Sequence, residues 1–357
     1  MMFTRVEPSA DSIAYLRCTK YIDTVIKARA LKTALDLGLF EHLLVRRTTS
    51  LPTLAQAIKA DLLGTSLLVH MLAQAGVVHI RNEDILFSEE FLQCLPFFDL
   101  MQAKLSFAGV VLSDFAEYFT DLVQDPVTFQ ERATLFRIFS YPKGVEPDAA
   151  TYHATRLWVN LTSRLSLYEA PPLRSVLEFS GSERLLDIGG NSGAFGLKLC
   201  QLQAIDQATI FDLPLICELG LNYVFDQDCA DRISFFPGDL QSSDLPKGFS
   251  LHLFKSVLHD WSDADVRCFL QASVSCLEPG GRLIIYERIQ APLAGSSAFD
   301  SSPIWNFADL PVLLFYRSYR DPMLYKRCLE DLGMIIAKSC LLRLDSDFCV
   351  IEAIKPL

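Results

Sequence analysis

The sequence predicts an α/β protein: a mostly parallel, doubly wound sheet closed by a C-terminal antiparallel hairpin, preceded by a mainly helical N-terminal region. Three observations predict it. Short apolar runs alternate with helical stretches from Arg184 onward, the last two runs are separated by only Asp345-Ser346-Asp347-Phe348, and apolar residues before Phe98 recur at helical spacing. Alternating strands and helices pair in parallel through crossovers. So short a final connection leaves no room for a crossover helix, and those two strands must run antiparallel.

The helical start rests on Ile22, Val25, Ile26, Ala30, Ala34, Leu35 and Leu39, with turns near Gly38 and Leu51-Pro52. Pro52 to Ala60 and Leu63 to Ala75 read as a helix pair. Val77 to Ile80, the turn Arg81 to Asp84, and Ile85 to Phe87 read as a hairpin. Two helices and a hairpin suggest a winged helix. Its would-be recognition helix, from Leu62 to Gln74, contains no Lys or Arg, whereas a groove reader needs phosphate and base-edge donors there. That apolarity suits burial against a second domain or a twin subunit. From about Leu105 to Pro172 a helical stretch rich in aromatics follows, Phe107, Phe115 and Trp158 among them, some of which are expected to wall an apolar pocket. Strands are expected at Arg184–Ile188, Ala208–Phe211, Ile233–Phe236, Ser250–Lys255, Arg282–Glu287, Ser339–Leu344 and Cys349–Ile354. The resulting division is 1–104, a bridge over 105–175, and a ligand-binding unit over 176–357.

The chain has 357 residues, beyond the roughly 100 to 200 usual for one domain. Half are apolar, and 32 Lys plus Arg against 43 Asp plus Glu give a net charge of −11, a poor match to a polyanion such as nucleic acid. Met1 to Glu7 lacks a basic patch followed by an apolar core, and no apolar run reaches the roughly 18 residues of a membrane span, so a soluble, cytoplasmic protein with no membrane partner is expected. Ten cysteines without a C-x-x-C pair argue against a disulfide frame or zinc cluster. No metal is expected: His153 and His259 could be two ligands, but no others can be placed.

Leu185-Leu186-Asp187-Ile188-Gly189-Gly190-Asn191-Ser192-Gly193 carries an apolar strand into an acid and then a glycine-rich turn. Glycines permit left-handed dihedrals and close backbone approach, and Asn191 is the least penalised non-glycine residue for such a position. A carboxylate here would repel a pyrophosphate dinucleotide, whereas the ammonium and sulfonium of S-adenosylmethionine are favoured by it. A tight turn with no ligand is the competing reading of the glycines alone. Asp212 ends the second strand, 25 residues after Asp187, near the offset at which an acid meets ribose hydroxyls, the favoured reading; capping the helix after Pro214 is a second role that could coexist with it. Asp239 and Leu240 follow the third strand and could meet the adenine amino group and ring, although Gly238-Asp239 is also an ordinary turn.

His259 follows the fourth strand and Glu287 lies on the fifth, 28 residues apart, about one strand-helix-strand unit, so the two side chains should meet at neighbouring strand ends. A carboxylate beside an imidazole fixes its tautomer and raises its basicity. An imidazole with a pKa near 6.5 matches removal of a phenol or enol proton. Trp261 flanks the adenosine or belongs to the core, and Ser262 or Asp263 begins the next helix.

Asp187 to Gly193, Phe211-Asp212-Leu213-Pro214, Gly238-Asp239-Leu240, Leu258 to Asp263 and Glu278-Pro279-Gly280-Gly281-Arg282 stand in an order and spacing that resembles the caffeate and hydroxyindole type O-methyltransferases. Ala30 to Phe40 resembles their N-terminal winged-helix dimerisation domain. The resemblance implies a class I, Rossmann-like methyltransferase sheet, a homodimer, use of S-adenosylmethionine with S-adenosylhomocysteine as product, and a small aromatic or natural-product hydroxyl as acceptor. It implies His259 as base with Glu287 its partner, and a donor site of Asp187, Gly189, Gly190, Gly193, Asp212, Leu213, Asp239, Leu240, Lys255 through its backbone, and Trp261. Trp158, Asn160, Tyr319 and Arg320 are placed on the acceptor side. Plant members carry a second glutamate where this chain has Tyr319, and Arg317 and Arg320 could instead pair with an anionic acceptor or with surface acids. Carbon methylation, a cofactor-retaining pericyclase, and a winged-helix regulator with S-adenosylmethionine as effector stand as alternatives.

Overall fold

A computed structural model describes residues 19–133, 149–289, 320–344 and 347–357. The chain divides into two compact units, one ending at Gly109 and one beginning at Val110.

In the first unit α1 (Thr19–Asp36), α2 (Leu39–Arg46), β1 (Thr49–Ser50), α3 (Leu51–Ala57), α4 (Leu62–Gln74), β2 (Val78–Arg81), β3 (Asp84–Phe87) and α5 (Glu89–Leu92) follow in order. The helix starts are chemically marked. Ser50 accepts from the Thr53 N–H, Asp61 from Gly64 and Ser88 from Phe91, each satisfying a donor that has no partner within its helix. The expected hairpin is present but tighter than read: Asn82 and Glu83 alone form the turn, at φ of 50° and 75°, the mirror-image geometry that matches strand twist. β1 was not expected. Two residues give no periodic signal, yet Thr49 and Ser50 pair with Ile85 and Asp84 to complete a three-stranded sheet. Thr65, Leu68, Val69 and Leu72 of α4 face the core with Leu39, Phe40, Leu54 and Ile85, whereas Leu62, Leu63 and Leu67 are exposed on the surface of the single chain.

The helix α6 (Phe98–Gln124) crosses the boundary and is followed by α7 (Pro126–Arg132) and α8 (Ala149–Val176). The sheet unit then runs β4 (Arg184–Ile188), α9 (Ala194–Gln201), β5 (Gln207–Asp212), α10 (Pro214–Val224), β6 (Ile233–Pro237), β7 (Leu251–Lys255), α11 (Asp263–Cys276), β8 (Arg282–Arg288), α12 (Pro322–Asp331), β9 (Ile335–Arg343) and β10 (Asp347–Ile354). The seven-stranded order is β6-β5-β4-β7-β8-β10-β9, with β4 to β8 mutually parallel and β10 antiparallel to both neighbours. This is the α/β class expected from the sequence. β9 begins at Ile335, four residues earlier than read, because its outward positions are exposed and the strand shows no continuous apolar run.

Adjacent strand residues point to opposite faces, and both faces are covered, so the central strands read as unbroken apolar runs. Leu186, Ile188, Phe254, Leu283 and Ile285 pack with Val266 and Leu270 of α11 and Tyr325 and Leu329 of α12. Leu185, Ile210, Leu253, Ile284 and Tyr286 pack on the other face with Ala170 and Leu173 of α8 and Phe195 and Leu199 of α9. All five parallel strands therefore end on one edge.

Candidate active site

β4 places Asp187 at that edge, almost fully buried. Gly189 follows at φ 73°, and a Cβ there would lie 2.6 Å from Cγ2 of Val257, so the turn and the strand-end residue beside it can approach only with glycine. A Cβ on Gly190 would strike Cγ of Asp187 at 2.6 Å. Asn191 adopts φ 53°, in the left-handed region as its residue type allows. Asp212 fastens this loop: its Oδ2 accepts the Asn191 N–H and its Oδ1 the Leu213 N–H, both at 2.8 Å. The helix cap weighed for Asp212 is not formed, since Leu213 occupies the cap position of α10 without a side-chain bond.

Burial pushes the Asp187 carboxyl up to about 7, with Lys255 opposing and Asp212 adding to the rise. Burial likewise lifts Asp212 to about 6 against the pull of its two backbone donors. Asp187 Oδ2 has no hydrogen-bond partner among the described residues. A buried carboxylate oxygen without a donor is costly, and this one lies beneath a loop kept bare of side chains, so the residues fit a small cationic group.

Asp239 stands half-exposed after β6, accepting the Gln241 N–H at 2.8 Å and donating its own N–H to Ser243, which is the ordinary turn weighed above; Leu240 packs on the core. Lys255 turns its side chain beneath α8: Nζ pairs with the Glu169 carboxylate, lies 3.4 Å from Ser166 Oγ and stands over the Phe195 ring. Trp261 packs edge-on against Phe269, with ring centroids 5.1 Å apart.

After Lys255, Ser256 adopts φ 56°, and the chain then enters a single turn over Leu258–Asp260. Glu287, wholly buried on β8, holds this turn: Oε1 accepts the N–H groups of Val257 and Leu258 at 2.7 Å each, and Oε2 meets His259 Nδ1 at 2.8 Å. The spacing expectation that brought these two side chains together is met in the geometry. On the other ring nitrogen, Nε2 lies 3.5 Å from Asp260 Oδ1. Burial pulls the imidazole pKa down, but the carboxylates of Asp260 and Glu287 outweigh it and the net direction is upward.

Three groups were missed by sequence reading. Glu169 lies between Lys255 and Arg288, its Oε1 3.4 Å from Arg288 Nη2, and all three are buried or nearly so. Two further bonds join α8 to the glycine loop, Ser163 Oγ to Ser192 Oγ at 2.6 Å and Thr162 Oγ1 to Asn191 Oδ1 at 3.3 Å. The available signal was a polar stripe at helical spacing, Thr162, Ser163, Ser166 and Glu169, along an otherwise apolar helix face. Asp260, next to the histidine, was readable as a neighbouring charge but not as one facing Nε2.

Of the acceptor-side residues, Trp158 is half-buried and Asn160 exposed on α8. Tyr319 and Arg317 lie outside the described residues, as does the side chain of His153. Of the two readings of Arg320, pairing with a surface acid is the one seen: it donates to Asp263 Oδ1 at 2.6 Å, and also to the Leu258 carbonyl at 2.8 Å and to the Trp261 carbonyl. Asp263 is thereby taken from the capping role weighed for it, and Ser262 caps α11 in a reciprocal box with Asp265.

Residues 119–344 match the O-methyltransferase domain family, and residues 19–90 match the O-methyltransferase dimerisation domain. The chain belongs to the O-methyltransferase family and is a methyltransferase enzyme. It is 26% identical over 317 residues to mitomycin biosynthesis 6-O-methyltransferase of Streptomyces lavendulae, covering 88% of this chain and 87% of that protein. Its fold is similar to that of the mitomycin 7-O-methyltransferase MmcR, with a TM-score of 0.71 at 23% identity over 97% of this chain and 99% of that one. It is also similar to human N-acetylserotonin methyltransferase, solved in complex with S-adenosylmethionine, with a TM-score of 0.71 at 19% identity over 99% and 100% of the two chains.

Proposed function

We propose that the enzyme transfers a methyl group from S-adenosylmethionine to a hydroxyl of a small aromatic or natural-product acceptor, with His259 as general base and Glu287 orienting it. The observation that carries this reading is the bond from His259 Nδ1 to a fully buried carboxylate, on the same sheet edge as a buried acid one of whose oxygens has no hydrogen-bond partner among the described residues. S-adenosylmethionine, when bound, supplies an electrophilic methyl on a cationic sulfur. Asp187 lies where its carboxylate favours the ligand's positive charge, the bare Gly189-Gly190 loop admits the ligand's close approach, and Asp212, Asp239, Leu240 and the Lys255 backbone are assigned to its nucleoside end.

Transfer needs in-line positioning and an acceptor that is losing its proton. With Nδ1–H donated to Glu287, His259 keeps a lone pair on Nε2, the atom that takes the hydroxyl proton. Glu287 then stabilises the imidazolium, as does Asp260, whose Oδ1 lies 3.5 Å from Nε2. Such a base contributes about 10² to 10⁴ in rate. The family match at 19–90 supports a homodimer, and the relative's place in natural-product biosynthesis supports a natural-product hydroxyl as acceptor.

The test is incubation with a deuterated-methyl donor and a panel of phenols, phenolic acids and quinols, read by product mass and fragmentation. One labelled methyl on oxygen is expected. A label on carbon, or turnover of an acceptor without methyl gain, overturns the assignment.

A further inference from the structure

We infer that Arg320 is a positioning residue for His259, holding the turn that carries the imidazole by its backbone carbonyls while Glu287 holds the same turn by its N–H groups. The turn is gripped from two sides by opposite charges. Glu287 Oε1 takes the donors of Val257 and Leu258, and the Arg320 guanidinium takes the acceptors of Leu258 and Trp261, the carbonyls just before and two residues after His259. Its third nitrogen, Nε, reaches Asp263 Oδ1 at 2.6 Å, tying the far end of the segment where α11 begins. Three acceptors spread from Leu258 to Asp263 fit a planar fork with nitrogens on several edges; a lysine ammonium is a single point and cannot span them.

The arrangement has a reason in local strain. Ser256 stands at φ 56°, which a residue with a Cβ adopts at a cost, and Val257 is packed against the bare face of Gly189. A turn entered through a strained residue needs outside contacts to stay in one geometry, and nitrogen-to-carboxylate distances at His259 depend on it. Arg320 precedes α12, whose start is fixed by Asp321 accepting the Met323 N–H, so the guanidinium is anchored at the end of a packed helix.

The inference rests on His259 being the base, and the experiment separates the two claims because it needs neither donor nor acceptor. Imidazole carbon signals of the full-length protein are titrated by NMR, His259 being assigned by loss of its signal in His259→Gln. Charged groups facing this ring among the described residues include Asp260, Glu287 and Arg288. Wild-type His259 is expected to titrate above the ordinary 6.5. Removing only a positive charge in Arg320→Ala would raise that midpoint further. Loss of the clamp, which slackens the Glu287 contact while burial remains, lowers it toward 6.5 or below, and this fall is the expected result.

Arg320→Lys keeps the charge and is expected to fall likewise, while added methylguanidinium restores Arg320→Ala in part. Asp263→Asn retains both carbonyl contacts and is expected to leave the midpoint in place, and where Arg320→Ala fails to fold, Arg320→Lys carries the test. A midpoint in Arg320→Lys that stays at the wild-type value, or one that rises in Arg320→Ala, overturns the inference. Should the midpoint fall as expected while His259→Ala methylates at the wild-type rate, the base assignment fails and the clamp stands.

Discussion

The two edges of the central sheet treat their charges differently. At the edge where the parallel strands begin, charges are matched: Arg282 reaches Glu183 at 2.6 Å, Glu352, and the Glu178 carbonyl, and lies over the Phe179 ring, while Arg184 reaches Glu278 at 3.0 Å. At the edge where they end, Asp187 is buried with an oxygen that has no hydrogen-bond partner among the described residues, Asp212 is pushed up to about 6 and His259 is raised by two acids. The first edge closes a fold. The second holds charges in states they would not choose in water, the arrangement to which the proposed chemistry is assigned.

The largest break in that contrast comes from Glu287. Glu287→Ala leaves two N–H groups and an imidazole without their acceptor, and removing one partner of a buried charged network costs about 3 to 5 kcal/mol, to be read from urea unfolding midpoints. Methyl transfer is expected to vanish with it. His259→Ala removes one group from the edge and leaves the turn bonded, so turnover is expected to drop by at least roughly tenfold and as far as ~10⁴, with donor affinity near wild type. An undiminished rate in that variant strips the second edge of its catalytic meaning.

Asp187→Asn tests the donor half. A charge-assisted contact contributes about 1.5 to 3 kcal/mol, so donor affinity is expected to weaken by roughly 10- to 150-fold with little change in His259 titration. Equal affinity in the variant would make the buried acid structural. At the opposite edge Arg184→Ala should cost at most about 1 kcal/mol, since both partners are well exposed. It is also expected to leave methyl transfer intact, and a loss of activity there would erase the distinction between the edges.

Both sides of the comparison were unequally legible in the sequence. The parallel sheet, its closing hairpin and the His259 to Glu287 pairing follow from alternation and from the length of one strand-helix-strand unit, which fixes where two strand ends meet. The glycine loop was legible because backbone constraints act on neighbours in sequence. Glu169 and Arg320 were not, because each acts on residues tens of positions away, and nothing local distinguishes a guanidinium facing solvent from one bound to two backbone carbonyls and a carboxylate. Arg320 was read by its charge and belongs to its geometry. β1 escaped for a different reason, since two residues carry no period.

The acid pair on the second edge also sets a pH dependence. A carboxyl whose folded pKa is raised contributes stability that is present below its unfolded value, near 3.8 for Asp187, and is lost as pH rises through about 7. Ligand-free protein should therefore weaken over that interval, and a bound cation, by favouring the ionised acid, should offset the loss.

The most direct measurement is calorimetric titration of the purified protein with S-adenosylmethionine at about pH 6 and pH 8, repeated in buffers of different ionisation enthalpy. Binding that tightens toward pH 8, with protons released at pH 6 as Asp187 ionises, is the predicted result. No heat at either pH, or tighter binding at the lower one, would contradict the assignment of this edge to a cationic methyl donor.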